Sequence, residues 1–134
     1  MNLIIDCGNT NLKYFIFENE RLVFKNLFRW EDGWKSKIKN SFPEIKNILL
    51  SDVTGKYHKV DLETIFPKKK VYEVKALDFP FKTNYNYENL GDDRIGLITA
   101  AIDKFPKQDC LVIDAGSCLT YDLISSKSVH EGGL

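Results

Sequence analysis

The chain of 134 residues contains an internal repeat, which restricts its fold more than any other feature of the sequence. The segment L-I-I-D-C-G-N-T-N-L-K-Y-F at residues 3–15 aligns with L-V-I-D-A-G-S-C-L-T-Y-D-L at residues 111–123, at an offset of 108 residues. Each copy has an apolar strand, an aspartate, a variable residue, a glycine, polar residues and a second strand. We therefore predict two similar β-hairpins whose turns carry the same chemistry.

The turns of these hairpins suit a phosphate ligand. Glycine has no Cβ, so a phosphate can approach the backbone N–H groups closely at Gly8 and Gly116. Asn9, Thr10 and Ser117 add amide and hydroxyl donors. One D-x-G turn is common and often bonds only its own backbone. Two copies with matching strands favour phosphate binding.

Charged residues beside the first turn suit a metal and a polyphosphate. Asp6 ends the first strand, and carboxylate oxygens hold Mg²⁺ directly or through water. Lys13 follows the turn and can neutralise phosphate charge. Two such hairpins facing each other would bind a polyphosphate between their turns.

The remaining pattern predicts a mixed α/β sheet, because strand and helix signals alternate. The predicted strands are residues 2–6, 12–17, 22–26, 45–50, 71–74, 109–114 and 119–125, and the predicted helices are 30–41, 58–66 and 91–105. The first helix follows from the spacing of Trp30, Trp34 and Ile38 on one face. The last helix has acidic residues at its start and Lys104 at its end, which matches the helix dipole.

Composition excludes several classes of protein. Nineteen Lys and Arg balance nineteen Asp and Glu, so nothing indicates binding to nucleic acid or to a membrane surface. The three cysteines form no C-x-x-C pair, which argues against a disulfide framework or a zinc site. No segment approaches the ~18 apolar residues of a membrane span, and no secretory leader is visible. We therefore expect a soluble, cytoplasmic protein.

Three motifs together resemble the type III pantothenate kinase family, within the superfamily of actin and the sugar kinases. D-C-G-N-T-N-L-K at residues 6–13 is similar to the first phosphate loop of that family, and D-A-G-S-C-L-T at residues 114–120 is similar to its second. L-G-D-D-R at residues 90–94 is similar to its L-G-x-D-R substrate motif. The order and spacing of the motifs also fit, so the resemblance covers the whole chain.

The resemblance implies ATP-dependent phosphorylation of pantothenate to 4'-phosphopantothenate, the first step of coenzyme A biosynthesis. It also implies Mg²⁺, a monovalent cation such as K⁺, a homodimer, and a ribonuclease-H-like (actin-like ATPase) α/β fold with helices flanking a mixed sheet. Residues 1–106 would form the first lobe, and residues 107–134 the opening strands of a second. Because E-G-G-L ends inside the family's G-G-x-I-x-P-G segment, we expect an incomplete chain, and the sequence leaves open whether this chain is active by itself.

The resemblance also assigns roles to individual residues. Asp93 would be the general base that accepts the proton of the attacking hydroxyl. The ATP-binding residues would be Asp6, Cys7, Gly8, Asn9, Thr10, Asn11, Lys13 and Ser117. The substrate-binding residues would be Tyr85, Gly91, Asp92 and Arg94, and the metal ligands Asp6 for Mg²⁺ and Asp114 for K⁺. Arg94 suits a carboxylate because its guanidinium can bind both oxygens at once.

The sequence departs from the family pattern at two places. Ser117 and Cys118 replace the usual threonine and alanine of the second phosphate loop, although the hydroxyl is retained. In N-Y-N-Y-E-N at residues 84–89, either Tyr85 or Tyr87 would line the substrate pocket.

Three alternatives remain open at this level. The charged residues at 92–94 could simply cap a helix and pair locally. A ribonuclease-H-like nuclease could use Asp6, Asp52 and Asp114 as ligands of two metal ions. The chain could also be a regulator that binds a nucleotide without catalysis.

Overall fold

The structure is a computed structural model that describes residues 1–28, 33–76, 79 and 81–134. Across these residues it contains nine strands and three α-helices. The chain divides into two compact units, residues 1–77 and residues 78–134. None of the helices in the described ranges has the length and apolar character that crossing a membrane requires.

The first unit contains a five-stranded mixed sheet. Its strands are β1 (Asn2–Cys7), β2 (Leu12–Glu18), β3 (Arg21–Phe28), β4 (Asn47–Asp52) and β5 (Lys70–Glu73). They lie in the order β3-β2-β1-β4-β5, with β1, β2 and β3 antiparallel in turn and β4 parallel to both β1 and β5. Helix α1 (Trp34–Ser41) precedes β4, and helix α2 (Lys59–Ile65) precedes β5.

One face of this sheet and the two helices form the core of the first unit. Alternate strand residues point to the same face, and the inward residues are almost completely buried. The core contains Leu3, Ile5, Cys7, Leu12, Tyr14, Ile16, Ile48, Leu50 and Val71 from the strands, and Trp34, Ile38 and Leu62 from the helices. The prediction that Trp34 and Ile38 lie on one apolar face of a helix is therefore confirmed, whereas Trp30 lies outside the described residues.

The second unit contains a four-stranded sheet. Its strands are β6 (Lys82–Thr83), β7 (Cys110–Ala115), β8 (Leu119–Ser125) and β9 (Val129–Gly133), in the order β6-β9-β8-β7. Helix α3 (Asp92–Lys104) packs against β7 and β8. Helix α3 and strands β7 and β8 were predicted from the sequence, whereas β6 and β9 were not.

The two faces of the β7–β8 hairpin differ in character. The face towards α3 carries Asp114, Thr120 and Asp122, and Asp122 is buried. The opposite face carries exposed apolar residues, namely Leu111, Ile113, Leu119, Tyr121 and Leu123. A contiguous apolar face of this kind is typical of a surface that packs against another part of a protein.

Candidate active site

The first predicted phosphate turn closes the β1–β2 hairpin. Strand pairing ends at Cys7 and Leu12, so residues 8–11 form the turn. The N–H of Gly8 donates to the carbonyl oxygen of Asn11 over 3.0 Å. A Cβ at Gly8 would lie 3.3 Å from that same oxygen, so a side chain would fit only if the turn shifted. Glycine therefore keeps this turn tight and its backbone accessible.

Asp6 lies between charged and polar neighbours on the two adjacent strands. The Nζ atom of Lys13 on β2 lies 3.3 Å from its Oδ2 atom, and the hydroxyl of Ser51 on β4 donates to its Oδ1 atom over 3.3 Å. The Lys13 and Asp6 side chains are 44% and 23% exposed. The structure thus brings together two predicted phosphate-site residues, and both remain accessible to a ligand. Ser51 was not predicted from the sequence.

Cys7 contributes to this region differently from the polar turn residues. Its side chain is completely buried in the core. Burial, reinforced by the negative charges of Asp52 and Asp6, raises the pKa of the Cys7 thiol to about 12. Its carbonyl accepts the N–H of Val53 over 3.2 Å. Any contact between Cys7 and a nucleotide would therefore involve its backbone, whereas Asn9 and Thr10 are exposed.

The second predicted phosphate turn closes the β7–β8 hairpin. Strand pairing ends at Ala115 and Leu119, which leaves a turn of three residues. The N–H of Gly116 donates to the carbonyl oxygen of Cys118 over 3.1 Å. In both hairpins, the N–H of the glycine thus donates to the carbonyl oxygen of the last residue of the turn. Ser117 is exposed within the second turn. The repeat therefore extends from the sequence to the hydrogen bonding of the two turns.

The second turn is one residue shorter than the first, and this changes the pairing of the aspartates. The offset between the copies is 108 residues before the turn and 107 after it. Asp6 consequently pairs with Lys13 across the first hairpin, whereas Asp114 pairs with Thr120 across the second. The two aspartates are equivalent in position but have different cross-strand neighbours.

The predicted substrate motif forms the N-terminus of α3. Gly91 is the N-cap in an extended conformation, and as a glycine it has no side chain that could cap the helix. Asp92 is buried, and Asp93 is half-buried with its Oδ1 atom accepting the N–H of Arg94 over 2.8 Å. Asp93 therefore makes the local contact that one alternative proposed, whereas the Arg94 side chain pairs elsewhere.

The Arg94 guanidinium forms a bidentate ion pair with Asp122 of β8. Its Nε atom donates to Oδ2 over 3.0 Å, and its Nη2 atom donates to Oδ1 over 2.6 Å. The Arg94 and Asp122 side chains are only 11% and 2% exposed. Hydrogen bonding to Asp122 raises the pKa of Arg94 above its usual value, so this arginine remains charged. Asp122 was not among the residues predicted from the sequence.

A buried histidine lies behind this ion pair. His130 Nε2 lies 2.8 Å from Asp122 Oδ1, and His130 Nδ1 lies 2.8 Å from the hydroxyl oxygen of Thr83. That hydroxyl oxygen also accepts the N–H of Tyr85 over 3.0 Å. The second unit therefore contains a continuous polar network that reaches Arg94.

The structure separates the two candidate tyrosines of the substrate pocket. The Arg94 guanidinium carbon lies 5.0 Å from the ring centroid of Tyr85, within the distance of a cation–π contact, and, in addition to the hydrogen bonding with Asp122, a hydrogen bond with Tyr85 also contributes to raising the pKa of Arg94. Tyr87 is 40% exposed, and its ring packs 4.7 Å from that of Phe79. Tyr85 is therefore the tyrosine that lies beside the predicted substrate arginine.

The carboxylate of Asp52, which the nuclease alternative requires as a metal ligand, accepts hydrogen bonds from the loop that follows it. Its Oδ1 atom accepts the N–H and hydroxyl of Thr54 over 2.7 and 2.6 Å and the N–H of Gly55 over 3.1 Å. Its Oδ2 atom accepts the N–H of Tyr57 over 2.7 Å. Within the described ranges, no three His, Cys, Asp or Glu side chains are grouped to hold a metal ion. This geometry disfavours a two-metal nuclease.

Comparisons with known proteins agree with the motifs. Residues 2–134 match the family model described as type III pantothenate kinase. A type III pantothenate kinase from Christiangramia forsetii is 41% identical, and one from Flavobacterium psychrophilum is 35% identical; each alignment covers 99% of this chain and 56% of the relative. A crystal structure from Campylobacter jejuni, described as a Baf family transcriptional activator, matches with a TM-score of 0.57 and 25% identity, over 98% of this chain and 52% of that chain. The chain thus spans about half the length of the curated relatives that it matches.

Proposed function

This chain belongs to the type III pantothenate kinase family, and we propose that the complete protein transfers the γ-phosphoryl group of ATP to the primary hydroxyl of pantothenate. The reaction yields 4'-phosphopantothenate and makes the protein a phosphotransferase of coenzyme A biosynthesis. The observation that carries the proposal is the family match across nearly the whole chain, which includes all three motifs. The geometry of Asp52 and the names of the curated relatives leave the nuclease and regulator alternatives without support.

The β1–β2 turn is the proposed cradle for the phosphates of ATP. Phosphoryl transfer depends on positioning and on neutralising charge, which backbone N–H groups and a lysine can supply. The accessible turn at Gly8 and the half-exposed amine of Lys13 support this role. Asn9 and Thr10 add side-chain donors to this turn, and Ser117 is a proposed ATP contact within the second turn.

Asp93 is the proposed general base. One of its carboxylate oxygens accepts the N–H of Arg94. Its Oδ2 atom makes no side-chain hydrogen bond with any residue that the structure describes, so it can accept the hydroxyl proton of pantothenate. Arg94 beside it is the proposed partner of the pantothenate carboxylate, with Tyr85, Gly91 and Asp92 completing the pocket.

The two aspartates of the repeat fit the proposed cations to different degrees. Asp6 offers a partly exposed carboxylate, and Mg²⁺ commonly binds through one carboxylate, several waters and the substrate phosphates. Bound there, Mg²⁺ would neutralise charge on the phosphates of ATP. Asp114 lies opposite a neutral threonine, so its charge has no cross-strand cation, which supports the proposed K⁺ site.

We extend the proposal to the architecture of the complete protein. The mixed five-stranded sheet with two helices supports the ribonuclease-H-like fold that the family resemblance implies. We keep residues 1–106 and 107–134 as the proposed first lobe and the opening of a second. The exposed apolar face of the β7–β8 hairpin supports this division, because relatives of about twice this length contain further chain to cover it. A homodimer in the cytoplasm is proposed on family grounds alone.

An ATP- and K⁺-dependent kinase assay with pantothenate tests the function. We would assay this chain beside the longest reading frame that encodes it, with Asp93→Asn as the catalytic variant. Asp103→Asn is the matched control, because Asp103 is exposed on the same helix. We expect activity in the longer protein, loss of activity in Asp93→Asn, and no change in Asp103→Asn. Folded protein without activity in either length would contradict the kinase and favour the regulator.

A further inference from the structure

Asp122 is a charged residue in the core of the second unit. It lies on the face of β8 that packs towards α3, where the neighbouring position along that face is the buried Ile124. Removing a carboxylate and a guanidinium from water is costly, and well-packed apolar residues are often at least as stabilising as a buried ion pair. The pair between Asp122 and Arg94 is therefore poorly explained by stability alone.

The network around Asp122 fixes its carboxylate from two sides. Arg94 holds both oxygens, and His130 Nε2 lies 2.8 Å from Oδ1. The His130 ring contacts Asp122 at one nitrogen and the Thr83 hydroxyl at the other, so both ring nitrogens have a hydrogen-bonding partner. His130 is completely buried and cannot turn towards solvent. The carboxylate is thus held in one orientation.

A fixed carboxylate determines which part of the Arg94 guanidinium a ligand can reach. Asp122 occupies Nε and one proton of Nη2, which is one edge of the planar group. The edge formed by Nη1 and Nη2 is not used by Asp122. Tyr85 packs against the same group, at 5.0 Å from the guanidinium carbon. The arginine is therefore oriented before any substrate binds, which reduces the entropy cost of binding.

Gly133 on β9 leaves the space that this pair requires. A Cβ at Gly133 would lie 2.5 Å from Asp122 Oδ1 and 2.6 Å from Arg94 Nη2, closer than atoms of these types can approach. The backbone of β9 is thus packed directly against the ion pair. Three separate strands, β6, β8 and β9, contribute to holding one arginine.

We propose that Asp122 is a positioning residue, which, with His130 and Thr83 behind it, orients Arg94 so that its outer edge binds the carboxylate of the acceptor substrate. This inference rests on the proposed function, because it requires Arg94 to bind a carboxylate. It predicts that the network determines the selectivity of the enzyme for an acidic acceptor over a neutral one. The network acts on binding of the acceptor, whereas binding of ATP does not depend on it.

Steady-state kinetics of the longest reading frame test this inference with pantothenate and with its primary amide, which lacks the charge. In Asp122→Asn we expect the KM for pantothenate to rise roughly tenfold or more, since a charge-assisted bidentate contact loses its alignment. The KM for ATP should stay unchanged, and the preference for pantothenate over the amide should fall by a similar factor. A purely structural role would lower the active fraction, and hence kcat, without this selective change.

Two further proteins make the test decisive. Asp103→Asn is the matched control and should leave both KM values and the preference unchanged. Thr83→Val removes the hydroxyl that contacts His130 and the backbone N–H of Tyr85, and it should produce a smaller shift in the same direction. It decides the question if Asp122→Asn does not fold. An unaltered KM and preference in a folded variant, with an active wild-type enzyme, would overturn the inference alone. An inactive wild-type enzyme would overturn the proposed function and the inference with it.

Discussion

The ion pair between Asp6 and Lys13 provides the sharpest test of whether the first turn binds phosphate or only stabilises a hairpin. We would prepare Asp6→Asn, Lys13→Met and the double variant, which together form a double-mutant cycle. The two residues are cross-strand neighbours with their charged atoms 3.3 Å apart. A structural role and a ligand-binding role predict different magnitudes for this cycle.

The structure predicts a small contribution of the pair to stability. The side chains are 44% and 23% exposed, so solvent and salt screen their attraction. Exposed ion pairs typically contribute about 0.2–1 kcal/mol to the free energy of unfolding. We therefore expect a coupling energy below about 1 kcal/mol from urea unfolding of the four proteins. The coupling should decrease further at high salt.

The effect of Lys13→Met on ATP affinity should be much larger. Hydrogen bonds to a charged group contribute about 1.5–3 kcal/mol, which corresponds to roughly 10–100-fold weaker binding. Calorimetric titration of ATP into the complete protein measures this loss. Lys25→Met is the matched control, because Lys25 is an exposed lysine on β3 of the same sheet. A coupling energy above about 2 kcal/mol with unchanged ATP affinity would refute the phosphate-site interpretation.

Three further predictions test other parts of the structure. The exposed thiol of Cys118 should be alkylated rapidly at mildly alkaline pH. Cys7, whose pKa is raised to about 12 by burial, should react only after unfolding. Mass spectrometry of the labelled peptides measures both reactions. Leu62→Ala should lower the free energy of unfolding by about 2–5 kcal/mol, since Leu62 is completely buried, and the partly exposed Leu97→Ala by less than about 1 kcal/mol. Asp52→Ala should lower the free energy of unfolding, measured by chemical denaturation, by about 1–3 kcal/mol, because the loop loses four hydrogen bonds. The KM for ATP should not change. A large change in that KM would assign Asp52 to the ATP site.

The sequence predicted the elements whose signals are local. Apolar and β-branched runs located seven strands, and the helical spacing of Trp30, Trp34 and Ile38 located α1. Strand β6 has only two residues, and β9 contains Gly132 with a φ of 139°, a conformation that weakens any strand propensity. Strand β6 forms only by pairing with β9, which lies 47 positions away at Thr83 and His130, so it has no local signal. Strand β9 forms a short hairpin with β8 and was missed because its own composition does not favour a strand.

The same distinction explains which site residues were found. Asp6 and Lys13 are seven positions apart across one predicted hairpin, so the repeat alone brings them together. Ser51 and Asp122 reach the predicted residues from strands that are far away in sequence. The local pattern around Asp122 pointed the other way. Leu119, Tyr121 and Leu123 alternate with Thr120 and Asp122, so period-2 reasoning places Asp122 on the polar face of the hairpin, whereas the structure buries it.

The shorter second turn gives the duplicated scaffold two different electrostatic environments. Deleting one residue leaves the first strand of the hairpin unchanged but moves every residue of the second strand by one position, which exchanges its faces. A threonine therefore stands opposite Asp114 where Lys13 stands opposite Asp6. Asp6 already has a cation from its own chain and needs little more than solvent or a hydrated metal ion beside it. Among the described residues of the β7–β8 hairpin no cation stands opposite Asp114, and this difference is the reason why we propose the monovalent cation at Asp114 rather than at Asp6.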